Sequence, residues 1–199
     1  MNVKDAIETR RAYRALTKVE ITQEIISQLG HAAQLAPSCF NKQPWRYIFL
    51  YNEKLLEEFQ VVFPVNNSWA FSSSLIIAVV SEVSLDCSMK DGREYYLYDT
   101  GIATGFILLR ATELGLVAHP MAGYDPQKAK KILCIPDEMA LINIIAVGKH
   151  DENYRNVLPE EKISAEDSRP ARKTFQEFLF INKYGNSFHT TYKGDNGYI

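Results

Sequence analysis

Cysteine is scarce in this chain. Cys39, Cys87 and Cys134 stand far apart among 199 residues, odd in number and without a C-x-x-C pair. That scarcity argues against a disulfide framework and for a reduced, cytoplasmic setting. Charge of one sign is lacking too: 22 Lys and Arg face 24 Asp and Glu, for a formal net charge of −2. A chain so near neutral has no general attraction for polyanions. Nucleic acid is therefore not an expected partner, and any bound anion needs a local cluster of bases. His31, His119, His150 and His189 show no metal-ligand spacing, so no metal site is expected. Also missing are a Walker A pattern, a G-x-G-x-x-G after a strand and a G-x-S-x-G elbow. The first residues carry no apolar run, so no signal peptide is expected. The stretch from Phe59 to Ser81 is free of charge, but Pro64, Asn66, Asn67, Ser72, Ser73 and Ser74 interrupt it, and a membrane helix is not expected there.

What is present describes an ordinary globular chain. Apolar residues make up 46% and charged residues 23%, enough for one domain with a real core. Val3 to Arg11 reads as a short helix. Thr22 suits an N-cap, and Ile25, Ile26, Leu29, Ala32 and Ala33 keep helical spacing until Pro37. Trp45 to Tyr51 is aromatic and β-rich, a strand, and Glu53 to Val61 a helix. The unbroken apolar run Leu75 to Val80 predicts a buried strand.

Tyr95 to Leu114 is the longest helix candidate, apolar on almost every side between Ile102 and Ala111. Such a helix must be covered all round, either as a central core helix within one chain or at a subunit interface, where Gly101 and Gly105 would allow close approach. Asp125-Pro126 opens another helix, and Leu141 to Val147 is a strand closed by Gly148. His150 to Arg169 reads as polar loop, Phe175 to Ile181 as a last helix or strand, and Gly185 to Ile199 as a tail. The pattern is α+β.

Three clusters could carry chemistry. Arg10-Arg11-Ala12-Tyr13-Arg14 places three guanidinium groups within five residues, a local anion site in an otherwise neutral chain. Arg10 and Arg14 share a face if the first helix continues. Ala36 to Trp45 brackets small polar side chains between two prolines, forming a fixed helix–strand loop that can offer amides and hydroxyls to a heterocycle. In His119-Pro120-Met121-Ala122-Gly123-Tyr124, the small residues Ala122 and Gly123 let a ligand come close to backbone N–H groups.

Taken together, these segments resemble the nitroreductase family, from Val3 to about Leu179. Pro37-Ser38-Cys39-Phe40-Asn41-Lys42-Gln43-Pro44-Trp45 is similar to the family's P-S-x-x-N-x-Q-P-W motif at every fixed position. Arg10 to Arg14 is similar to its R-R-S-x-R segment, with Ala12 in place of Ser. Pro120-Met121-Ala122-Gly123-Tyr124 is similar to P-I-x-G-F, and Arg172 to Glu177 to a late basic stretch. The resemblance implies a three-layer α/β/α sandwich with a mostly antiparallel sheet, in an intertwined homodimer. It implies one FMN-binding domain over residues 1–183, with a tail over 184–199 packed on the partner subunit.

By the same resemblance, Arg10, Arg11, Arg14 and Arg172 would hold the FMN phosphate, with Lys173 and Arg169 in support. Pro37, Ser38, Cys39 and Asn41 would reach the flavin across the dimer interface. Asn66 would lie by the pyrimidine edge, and Pro120, Met121, Ala122 and Gly123 would border the flavin, the last two offering amides to N5. Trp69 stands where many members have a Lys on the pyrimidine, and Ala122 where some have Glu. No side chain is expected as acid or base. The implied activity is NAD(P)H-dependent reduction of nitroaromatics, quinones or related small electrophiles by a ping-pong mechanism. Other flavin chemistry, reductive dehalogenation or flavin breakdown, stays open, as does a non-enzymatic flavin-binding protein.

Overall fold

The computed structural model describes residues 1–189. Its framework is a five-stranded sheet whose pairings are all antiparallel. β1 is Leu16–Thr17, β2 Arg46–Leu50, β3 Leu75–Ser81, β4 Val117–Met121 and β5 Ala140–His150. The order runs β1-β5-β3-β2, with β4 also paired to β5.

β3 is buried along its whole length, so its side chains feed both faces. Leu75, Ile77 and Val79 pack into one core with Leu29 and Ala33 of helix α2 (Gln23–Gln34) and Ala103, Ile107 and Ala111 of helix α4 (Tyr95–Glu113). Ile76, Ala78 and Val80 pack into the other, with Phe59 of α3 (Glu53–Phe59) and Ala129 of α5 (Pro126–Ile132). The period of two along one strand thus supplies two cores, and the molecule has the expected three layers.

Local chemistry explains most element ends. Thr22 accepts the Ile25 N–H and starts α2, while Asp125 accepts from Gln127 and Lys128 ahead of Pro126. Helix α1 (Val3–Thr9) stops two residues before the expected end: Arg10 turns to φ −54°, ψ 121°, so Arg10 and Arg14 do not share a helical face. Gly148 does not close β5, which continues to His150. A Cβ there would lie 3.2 Å from Thr17 O and 3.3 Å from Leu16 Cβ, so the glycine admits β1 across the strand.

The expected loop from His150 to Arg169 contains two helices, α6 (Tyr154–Val157) and α7 (Glu160–Asp167). Their one fully covered residue is Glu166, a carboxylate, which is why hydrophobic spacing gave no sign of them. Helix α8 (Phe175–Phe178) follows, and the Phe180–Ser187 bridge folds the next residues into a hairpin. Of the predicted tail, Tyr192, Tyr198 and Ile199 lie outside the described residues.

α4 is not covered all round. It buries Ala103, Ile107 and Ala111, whereas Leu97, Tyr98, Gly101 and Phe106 face outward. None of the helices among the described residues is long and apolar enough to cross a membrane.

Candidate active site

Beyond the end of α1 the chain runs extended, and a set of tertiary bonds fixes its arginines. Arg169 donates to Glu8 O at 2.6 Å and Arg10 O at 2.7 Å, tying the segment after α7 to the carbonyls that end α1. The Arg14 N–H donates to Glu166 Oε1 at 2.7 Å, and the same buried carboxylate takes His150 Nε2 on Oε2 at 3.1 Å. His150 in turn stacks on Tyr13 at 3.8 Å. Arg11 is directed away: its guanidinium lies over the Tyr13 ring and donates to Ala165 O and Glu166 O.

The result is positive charge gathered in one place. Burial lowers the Arg10 pKa, and the neighbouring charges of Arg169 and Arg172 lower it further. Among the described residues, Arg10, Arg14 and Arg172 form no ion pair. Mutual repulsion among guanidinium groups that lack ion-pair partners favours a bound anion, even with the Glu166 carboxylate on the Arg14 N–H. Lys173 is exposed and acts on Glu177 instead.

His119 joins this cluster to the backbone of the 119–124 segment. Its Nδ1 meets Tyr13 O at 3.0 Å, which assigns the proton to Nδ1, and its ring lies 4.5 Å from that of Trp69. Its pKa is lowered by burial first, against the Tyr13 bond, with Arg14 and Arg10 pushing the same way as burial. The Trp69 indole N–H donates to Asn67 Oδ1 at 3.2 Å, and Asn67 Nδ2 donates to Gly123 O at 2.7 Å. A Cβ on Gly123 would stand 2.4 Å from that Asn67 nitrogen, so the glycine leaves the room the amide needs. Ala122 and Gly123 are exposed, while Pro120 and Met121 are held in β4. The Asn66 side chain stays outside this chain of bonds; its carbonyl accepts from Lys162 Nζ at 2.7 Å.

The 37–45 loop is shaped differently. Phe40, Asn41 and Gln43 take φ of 47°, 57° and 49°, a left-handed conformation that side chains rarely adopt. The Ser38 hydroxyl accepts the Gln43 N–H at 3.0 Å, and the Cys39 N–H reaches buried Asp99 of α4 at 2.6 Å. Phe40 is 91% exposed. Cys39 is bonded to Cys87, which corrects the expectation that no disulfide forms. The sequence separation of 48 residues hid the pairing, and the third cysteine, Cys134, is free.

The structure therefore brings together Arg10, Arg14, Arg169, Arg172, His119, Trp69, Asn67 and Gly123. Among the described residues, no hydrogen bond or ring contact joins Pro37, Ser38, Cys39 or Asn41 to that group. Asn67, Asp99 and Glu166 were not singled out from the sequence, and His119 entered only as the first residue of the 119–124 segment. Asn67 had the nearest signal, as the neighbour of Asn66. Glu166 had none, since a buried carboxylate in a polar stretch looks like a solvated one.

The chain has relatives among known proteins. The nitroreductase family model matches residues 7–63 and 63–149. A protein of Methanothermobacter thermautotrophicus, provisionally named NADH dehydrogenase/NAD(P)H nitroreductase, is 28% identical over 172 residues, 83% of this chain and 87% of its own. A solved nitroreductase family protein from Clostridium novyi NT superposes with a TM-score of 0.70 at 25% identity, covering 94% of this chain and 97% of its own. A solved oxidoreductase containing FMN superposes at 0.78, covering 92% and 93%; at 24% identity it speaks for the fold alone. Motif order, three-layer architecture and the matched residues converge, and the chain belongs to the nitroreductase family.

Proposed function

We propose that this chain is an FMN-dependent oxidoreductase that draws electrons from NAD(P)H and passes them to nitroaromatics, quinones or related small electrophiles. The observation that carries the reading is the gathering of Arg10, Arg14 and Arg172, none of which forms an ion pair among the described residues, linked through His119, Trp69 and Asn67 to exposed backbone at Gly123. The residues present fit FMN. Arg10, Arg14 and Arg172 suit its terminal phosphate, with Arg169 bracing Arg10, and the opening at Ala122–Gly123 suits a flat ring brought against backbone amides. When bound, the flavin supplies hydride acceptance and electron transfer, and the protein supplies binding and orientation.

The described residues form one sheet with a core on each face, and no second nucleotide domain is among them. Reductant and acceptor would therefore share one space over the ring in turn, and initial-rate plots against both should be parallel. The outward face of α4, with Tyr98, Gly101 and Phe106, and the part-exposed Phe175, Phe178, Leu179 and Ile181 support a homodimer. In that dimer the 37–41 loop would complete the partner's site. The cytoplasm, where NAD(P)H is plentiful, remains the proposed place of action.

The test is direct. The purified chain should be yellow, with one FMN per subunit released on denaturation. NADH or NADPH should bleach it, and a quinone should restore the colour with steady turnover. A colourless chain that takes up no FMN overturns the cofactor; stable yellow colour without nucleotide oxidation overturns the oxidoreductase.

A further inference from the structure

The Cys39–Cys87 bridge belongs to neither core nor arginine cluster, and it fastens the 37–45 loop to the segment before α4. Both cysteines are only partly buried, and Cys87 lines a cavity of about 230 Å³ with Val83, Met89, Tyr95 and Tyr96, wide enough to admit a small thiol. Asp86, beside them, is 8% exposed. Its Oδ1 accepts the Cys87 N–H at 2.7 Å, whereas among the described residues its Oδ2 has no donor. One carboxylate oxygen of Asp86 and the two sulfurs all lie within 4.8 Å of one another.

That set has the elements of a metal site, but the sulfurs are joined to each other and offer no thiolate. The disulfide also offers no proton. Breaking it would place S–H donors beside a buried acceptor that lacks one, and unmade bonds of that kind weigh on the state that leaves them unmade. Burial also pushes the Asp86 carboxyl up, against the pull of the Cys87 N–H and with the help of Asp99.

We propose that Cys39–Cys87 is a reversible dithiol–disulfide site, open to small dithiol reductants, that sets how firmly the 37–45 loop holds the flavin. Its flavin consequence rests on the FMN reading above; its sulfur chemistry does not. A thiolate of the reductant attacks the Cys87 sulfur, the bond to Cys39 breaks, and Cys39 leaves and takes a proton. The reductant's second thiolate then attacks the mixed disulfide, releasing Cys87, which is protonated in turn. The protein gains two electrons and two protons, and the reductant departs as its own disulfide. The loop keeps its Asp99 and Ser38 bonds but loses its covalent tie, while its left-handed residues still disfavour the bound shape.

The FMN-loaded full chain is equilibrated, without denaturant, in graded mixtures of reduced and oxidised dithiothreitol. Alkylation at Cys39 and Cys87 is read by mass spectrometry, with exposed Cys134 as internal control, and flavin release is followed by fluorescence after dilution. Both cysteines should open together and close again on oxidation, with release about tenfold faster when open. Cys87→Ser should release flavin at the faster rate with or without reductant. Asp86→Ala should need about fivefold more reductant for half-opening, as the loss of one hydrogen bond implies. A bridge that opens only in denaturant, or opens without changing release, overturns the proposal. Should Cys87→Ser fail to fold, the wild-type arms decide alone. A chain that takes up no FMN defeats the flavin reading, and the alkylation readout still judges the sulfurs.

Discussion

The arginine cluster and the 37–45 loop achieve fixity by opposite means. Around Arg10, charged side chains of like sign are brought together by what they grip: Arg169 on Glu8 O and Arg10 O, and Glu166 on the Arg14 N–H. Arg169 and Arg172 both work against the charge on Arg10. The loop carries a single charge, Lys42, and its cost lies in the backbone: three left-handed residues held by Ser38, Asp99 and a disulfide. One region stores unfavourable charge and the other unfavourable conformation. The proposed phosphate would relieve the first, whereas the fold itself sustains the second.

That contrast can be broken from either side. The largest effect should follow Arg10→Ala with Arg14→Ala. Each charge-assisted bond to phosphate is worth about 1.5–3 kcal/mol, so FMN affinity should fall roughly 10²–10⁴-fold. The free protein should keep or gain stability, because like charges are removed. Equilibrium dialysis and thermal melts with and without FMN measure both halves of the statement. Glu166→Ala disturbs the cluster without removing positive charge. It strands the Arg14 N–H and His150, should destabilise the fold by about 1–3 kcal/mol, and should weaken FMN binding through Arg14. Glu166→Gln should recover much of this in urea titrations.

A smaller effect comes from His119. Its pKa is lowered in the folded state, so the folded chain binds fewer protons than the unfolded one. Its contribution to stability is complete above about pH 6.5, the ordinary histidine value, and is lost as the pH falls through the folded value. Melts of the free protein between pH 7.5 and pH 5 should show this slope, and His119→Gln should flatten it. Bound phosphate should flatten it too, by neutralising the push of Arg10 and Arg14. The smallest effect is expected at Phe40→Gly. Glycine accepts φ 47° freely but loosens the unfolded chain, so stability should shift by less than about 1 kcal/mol. Turnover should nonetheless fall if the exposed ring serves the partner's site, separating loop shape from loop contact.

Much of this was legible in the residues because it depends on short-range rules. Thr22, Asp125-Pro126 and the run Leu75 to Val80 announced their elements through capping and burial. The fixed loop was legible from Pro37 and Pro44, though its left-handed residues, Phe40 among them, were not. What stayed hidden depends on distance along the chain. Cys39 finds Cys87 across 48 residues, and Arg14 finds Glu166 across 152. Helix α7 was missed because it is anchored by a carboxylate and not by an apolar stripe. The Pro159-Glu160-Glu161 start, with acidic residues in the first turn, was the available sign.

Among the described residues, β5 is the one strand that pairs with three others, taking β3 from Ala140 to Val147, β4 from Ile144 to Gly148, and β1 at its end. Ile144 to Val147 are fully enclosed on both faces. Opening their amides requires separating the two larger neighbouring strands at once, so deuterium should enter there last and at the rate of global unfolding. The amides of α1 and α8, each a short helix at the margin, should exchange first. Protection would then fade outward from the middle of β5, with the segments at 10–14 and 37–45, proposed to border the flavin, in the fast-exchanging rim, where a bound cofactor would leave its clearest mark.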